Sequence, residues 1–179
     1  ALGLAALGGD VIRIVANPAY HAAARWVSVI TLANLAQGFY YPAVFALFYR
    51  RKTAYLPFLT GSAAALNIAL NVWLIPRWGI GAAAWSKVAG YVALAALTFA
   101  AGQRVYPIRW EYRRLGVMVG LGAALWAVSA LVLGPLPLGA RVAARAGLVA
   151  AFPLMLWAAR FPAADERGYV MRLLDRWRR

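Results

Sequence analysis

Charged positions along the chain are spaced in long intervals. Asp, Glu, Lys and Arg are absent from 26–49, 53–76, 88–103 and 115–140, and 146–159 is a shorter clear run. A hydrocarbon layer about 30 Å thick is crossed by about 20 helical residues rising about 1.5 Å each. Four of the runs have that length or nearly so, and the fifth reaches it if Arg145 extends its charge toward the interface. The pattern predicts transmembrane helices near 24–48, 55–75, 79–101, 115–134 and 141–159. The expected fold is all-α, a polytopic membrane helical bundle of about five complete spans plus a partial N-terminal helix. The apolar opening, Ala1 to Gly8, is too short to span and lacks the basic flank of a signal peptide. It reads as the end of a helix, with further N-terminal transmembrane helices of the same protein expected as partners.

Composition strengthens this reading. Apolar residues make up 64% of the chain and charged residues 13%, against roughly 45–50% and 25% in soluble domains. So little polar surface excludes a soluble enzyme or a DNA-binding module. The formal net charge is +14, yet the basic residues alternate with apolar spans and form no single face for nucleic acid. Thirteen of them follow the first, third and fifth spans: Arg50 to Lys52, Arg104 to Arg114, and Arg160 to Arg179. Five, Arg13, Arg25, Arg77, Arg141 and Arg145, fall on the other side. The positive-inside rule then puts 49–54, 102–114 and the C-terminus in the cytoplasm. In the tail 163–179, Val170, Leu173, Leu174 and Trp177 recur at helical spacing among arginines. This suits either a helix lying in an anionic interface or a solvated basic end.

Little in the chain points to catalysis. The carboxylates Asp10, Glu111, Asp165, Glu166 and Asp175 fall at predicted span ends or in loops, His21 stands alone, and there is no cysteine. No enzyme active site, metal site or cofactor is expected. Polar residues inside the spans are more informative, because hydrocarbon penalises unpaired polar groups. Thr31, Asn34, Gln37 and Tyr41 are spaced to share one helical face, as are Asn67 and Asn71. Such stripes either line a polar cavity that binds sugar hydroxyls or join helices by hydrogen bonds. Asn67 and Asn71 are read as structural, and Asn34, Gln37 and Tyr41 as candidate substrate-binding residues. Lys87 is the one cation deep in a predicted span and is the candidate for an anionic substrate group. Gly79 to Ala84 offers a smooth face for close helix approach, and Pro76 is expected to end the preceding helix.

The stretch Asn67-Ile68-Ala69-Leu70-Asn71-Val72-Trp73-Leu74-Ile75-Pro76-Arg77-Trp78-Gly79-Ile80-Gly81-Ala82-Ala83-Ala84 resembles a segment of polysaccharide-biosynthesis membrane proteins. These are lipid-linked oligosaccharide flippases related to multidrug and toxic compound extrusion transporters and to lipid II flippases. Asp10 to Arg13, Asn17 to Ala23 and Arg50 to Thr53 are similar to that family's helix end, outer loop and basic cytoplasmic turn. The resemblance covers about 10–101. It implies that 1–101 is the end of the C-terminal transporter lobe (part of helix nine, then helices ten to twelve). Residues 102–179 would add two C-terminal transmembrane helices and a basic cytoplasmic tail. Trp85-Ser86-Lys87 departs from the family pattern, which usually has an apolar residue where Lys87 stands.

The resemblance further implies translocation of a polyprenyl-pyrophosphate-linked oligosaccharide across a bacterial inner membrane, by alternating access, for surface polysaccharide or lipopolysaccharide. The partners would be the lipid bilayer and the lipid-linked oligosaccharide. The alternatives are a cation-coupled multidrug extruder of the same superfamily, and a membrane glycosyltransferase or ligase. The extruder would call for intramembrane carboxylates, and the glycosyltransferase for larger outer loops.

Overall fold

A computed structural model of the chain describes residues 1–108 and 110–158; the tail 163–179 lies outside the described residues. Among those residues there is no strand. Six α-helices follow in order: α1 Leu2–Val15, α2 Val27–Tyr49, α3 Tyr55–Trp78, α4 Ile80–Val105, α5 Tyr112–Leu131 and α6 Leu138–Ala158. A nine-residue 3-10 segment, Pro18–Trp26, joins α1 to α2. The fold is the expected all-α bundle.

Helices α3 to α6 are each long and apolar enough to cross a membrane, and the chain is a multi-pass membrane protein. Helix α2 has 23 residues but is not among these four. Asn34, Gln37, Tyr40, Tyr41 and Pro42 dilute its apolar character.

The chain forms two compact units, Ala1–Trp110 and a second beginning at Glu111. In the first unit α2 and α4 lie side by side and parallel. Trp26, just before α2, covers Gly81 at the start of α4, and the Ala43 carbonyl meets Gly102 near the end of α4. Buried Ala33, Ala43, Ala46 and Leu47 of α2, with Ala82, Ala84, Val88 and Thr98 of α4, supply the core. Small side chains let two backbones approach closely, and dispersion then replaces the hydrophobic drive that lipid cannot provide. Helix α3 packs antiparallel on α4 from the outside. A third of α4's apolar window is buried (33%), against 6% for α3. Helix α1 crosses the start of α2, where Ser28 Oγ donates to the Ala5 carbonyl at 3.1 Å.

Two turns show how the sequence sets these directions. Helix α3 continues through Pro76 and stops at Trp78, so Pro76 does not end it. Pro76 only removes one N–H from the last turn. The stop is Gly79, with φ +61° and ψ −145°, a conformation open in practice only to glycine. That single residue reverses the chain into α4. At the other end of the unit, Arg51 has φ +54°. Its N–H donates to the Phe48 carbonyl (3.0 Å), and Lys52 N–H donates to that of Leu47 (2.8 Å). This is the Schellman arrangement, with arginine at the left-handed position that glycine usually fills.

In the second unit α5 and α6 form a hairpin. The Leu133 N–H turns to the Val128 carbonyl, which leaves the Ser129 carbonyl without its usual helical donor. Arg145 Nη2 donates to that oxygen at 3.0 Å. Arg141 Nη1, one turn earlier on α6, donates to the Gly134 carbonyl at 3.1 Å. Arg145 is thus half-buried and bonded to the neighbouring helix, rather than simply extended toward the interface. Cations are favoured there by the negative end of the α5 dipole.

Candidate functional site

A cluster of polar side chains lies between α3 and α4. Asn67 lies midway along α3, and its Nδ2 donates to the Ser86 main-chain carbonyl of α4 at 2.8 Å. Gly90 makes the approach feasible: a Cβ there would stand 3.2 Å from both Cβ and Nδ2 of Asn67. One turn further, Asn71 Nδ2 donates to Asn67 Oδ1 at 3.0 Å. The second oxygen of the pair, Asn71 Oδ1, is buried and accepts no hydrogen bond among the described residues.

Lys87 belongs to the same cleft. Thr60, Asn67 and Asn71 of α3 and Lys87, Gly90 and Tyr91 of α4 line an open groove of about 470 Å³. Lys87 Nζ stands 5.8 Å from the centre of the Tyr91 ring, at the outer range of a cation–π contact. The groove therefore offers one ammonium group, one unused amide oxygen, and hydroxyls on Tyr91 and Thr60. Thr60 Oγ1 already donates to the Leu56 carbonyl at 2.7 Å, so it serves chiefly as an acceptor. The chemistry suits a ligand with an anionic group for Lys87 and a donor, such as a hydroxyl, for Asn71 Oδ1.

The candidate stripe on α2 is dispersed. Thr31 is buried and donates back to the Val27 carbonyl at 2.8 Å. Asn34 and Tyr41 are exposed and Gln37 half-buried. None of these lines the α3–α4 groove. Asn34, Gln37 and Tyr41 are thus separate from Lys87, and of the proposed binding residues the groove holds only the lysine. Helical spacing put the four on one side of α2, but the choice of side facing a neighbour belongs to the packing with α4.

Asp10 was not marked by the sequence as a site residue. It lies within α1, 2% exposed and engaged with its surroundings, not at a helix end. Small Gly8 and Gly9 beside it admit Val27 and Ala24, so α1 approaches that segment closely here. His21 Nε2 lies 3.2 Å from the Ala16 carbonyl, a contact that holds when Nε2 carries the proton. The imidazole thus ties down the loop that Asn17 caps, where its Oδ1 accepts from Ala19 N–H at 3.0 Å.

No family model matches the sequence, and no curated protein or solved structure matches it either. The chain is thus characterised by its own residues: a multi-pass all-α protein with a polar groove, anchored by Lys87, between two of its apolar helices.

Proposed function

We propose that the chain belongs to a flippase that moves a polyprenyl-pyrophosphate-linked oligosaccharide across a bacterial inner membrane for surface polysaccharide synthesis. The observation that carries this reading is the α3–α4 groove, in which Lys87 lies with Asn67 and Asn71. A cation in hydrocarbon is costly and marks a substrate path or a paired site. In this reading Lys87 takes the phosphate charge, and the amides and Tyr91 take sugar hydroxyls. The likeness of 67–84 to the flippase segment supports it, since Asn67, Asn71 and Ala83 of that segment line the groove. Transport would proceed by alternating access, with the headgroup bound more tightly in one state than the other. The basic loops 49–54 and 102–114 favour their placement in the cytoplasm, and the C-terminus with them.

The test is Lys87→Glu in a strain otherwise lacking the protein. Surface glycan is expected to fall roughly tenfold, the scale of one hydrogen bond to a charged group, while the protein level holds. Unchanged surface glycan would remove Lys87 from transport.

Asp10 favours a second reading. A buried carboxylate is the group that a cation-coupled drug extruder needs. If Asp10→Asn abolished ion-driven dye efflux while Lys87→Glu left glycan unaffected, the extruder would replace the flippase.

A further inference from the structure

The end of the first unit opposite the Gly79 turn is both cationic and aromatic. Because α2 and α4 run parallel, their C-termini emerge together, and the turn into α3 joins them there. Arg50, Arg51 and Lys52 leave α2, and Arg104 stands in the last turn of α4, all four exposed. The Arg50 guanidinium lies 5.4 Å from the centre of the Tyr106 ring, and Tyr49 packs against the same ring at a 47° tilt with centroids 5.1 Å apart. None of the four cations forms an ion pair with a described residue. The only carboxylate of this unit, Asp10, is buried in α1, which packs at the start of α2 and not at its end.

The backbone adds an independent observation. Arg51 holds φ +54°, where an L-residue is disfavoured by roughly 1–2 kcal/mol relative to glycine. A side chain kept at that cost adds a third adjacent positive charge to the turn. Tyrosines at this level are the groups that settle at a lipid headgroup interface.

We infer that this end, formed by Arg50, Arg51, Lys52 and Arg104 around Tyr49 and Tyr106, binds the headgroup of an anionic phospholipid. The phosphate sits among the cations, and the tyrosine rings flank the glycerol region. The Arg50 guanidinium, held over Tyr106, has the fork that makes two parallel N–H···O bonds to a phosphate. This site is separate from the Lys87 groove, and it stands or falls without the flippase reading.

The full chain, reconstituted in phosphatidylcholine vesicles containing a minority of spin-labelled phosphatidylglycerol, tests it. Each cation at an anionic surface contributes about fivefold, so wild type is expected to hold the labelled lipid at least tenfold over labelled phosphatidylcholine. Arg50→Gln with Arg104→Gln is expected to remove most of that preference. Arg25→Gln with Arg77→Gln, at the opposite end, is expected to leave it. Tyr106→Leu, which keeps every charge, is expected to weaken it by a few-fold. Circular dichroism of each variant confirms that the helices remain. Equal retention of the two lipids by wild type would overturn the inference. So would a preference that survives the Arg50/Arg104 double variant, or one lost equally on neutralising the opposite end.

Discussion

Asn67 of α3 donates to the main-chain carbonyl of Ser86 in α4 across 2.8 Å, and this bond joins the outer helix to the central one. Within lipid such bonds contribute about 0.6–2 kcal/mol. Asn67→Ala is therefore expected to lower unfolding stability in mixed micelles by about that amount, and more than Asn71→Ala, whose donor serves Asn67 alone. Equal losses in the two variants would show that the Ser86 contact contributes nothing of its own.

Gly90 makes that bond feasible. An added Cβ would lie 3.2 Å from Asn67 Cβ and Nδ2 and 3.5 Å from Cγ, so Gly90→Ala is expected to cost about 1–3 kcal/mol as an overpacked contact. Two of the three close atoms vanish in Asn67→Ala. The double variant should then lose less than the sum of the singles, a coupling visible in a double-mutant cycle. Strict additivity would mean that α3 simply moves aside.

The close pairing of α2 with α4 sets a stronger condition. A Cβ on Gly102 would fall 2.8 Å from the Ala43 carbonyl oxygen, which belongs to backbone and cannot rotate away. Gly102→Leu is expected to separate the helices at this level. The measurement is disulfide trapping between cysteines placed at Ala46 and Gln103: efficient in the parent background, and reduced severalfold in the variant.

How far the sequence disclosed this arrangement depended on the range of the forces involved. Charge-free runs located the helices because dehydrating an ion is costly wherever it happens along a span. The small residues from Gly81 to Ala84 marked a close-packing face, and Gly81, Ala82 and Ala84 are buried. The tight turn was visible too, although its agent is Gly79 with its positive φ and not Pro76. The rest was tertiary. Asn34, Gln37 and Tyr41 have the spacing of a shared face, but the packing decides which face is covered, and it leaves Asn34 and Tyr41 exposed and Gln37 half-buried. Asp10 carries no local mark of burial, and its 2% exposure arises only in the folded unit. Arg145 found an acceptor because Leu133 N–H turned to Val128 and left the Ser129 carbonyl without its helical donor. Helix-end geometry of that kind is not written in hydropathy.

That acceptor gives the α5–α6 hairpin a specific weak point. Arg145→Met keeps the apolar stem but removes the donor, and the Ser129 carbonyl is then left in a residue only 1% exposed. The expected loss is about 1–3 kcal/mol, the cost of an unmet buried polar group. Arg145→Lys should restore part of it, since one ammonium N–H can replace the guanidinium contact. Hydrogen exchange at the amides of 128–133 is the readout, and no acceleration in Arg145→Met would show the bond to be dispensable.

Arg51 offers a substitution whose sign depends on the lipid. Its φ of +54° costs an L-residue roughly 1–2 kcal/mol, and Arg51→Gly relieves that cost while adding about 0.5–1 kcal/mol of unfolded-state freedom. In neutral detergent the variant is expected to be more stable by about 0.5–1 kcal/mol. In bilayers rich in anionic lipid the lost charge gives up about 1 kcal/mol, and the advantage should shrink to nothing or reverse. Unfolding of both proteins in neutral and anionic mixed micelles measures the difference. A stabilisation equal in the two media would confine Arg51 to the geometry of its turn, whereas a difference that closes with added salt assigns it to headgroup charge, because screening weakens only that contribution.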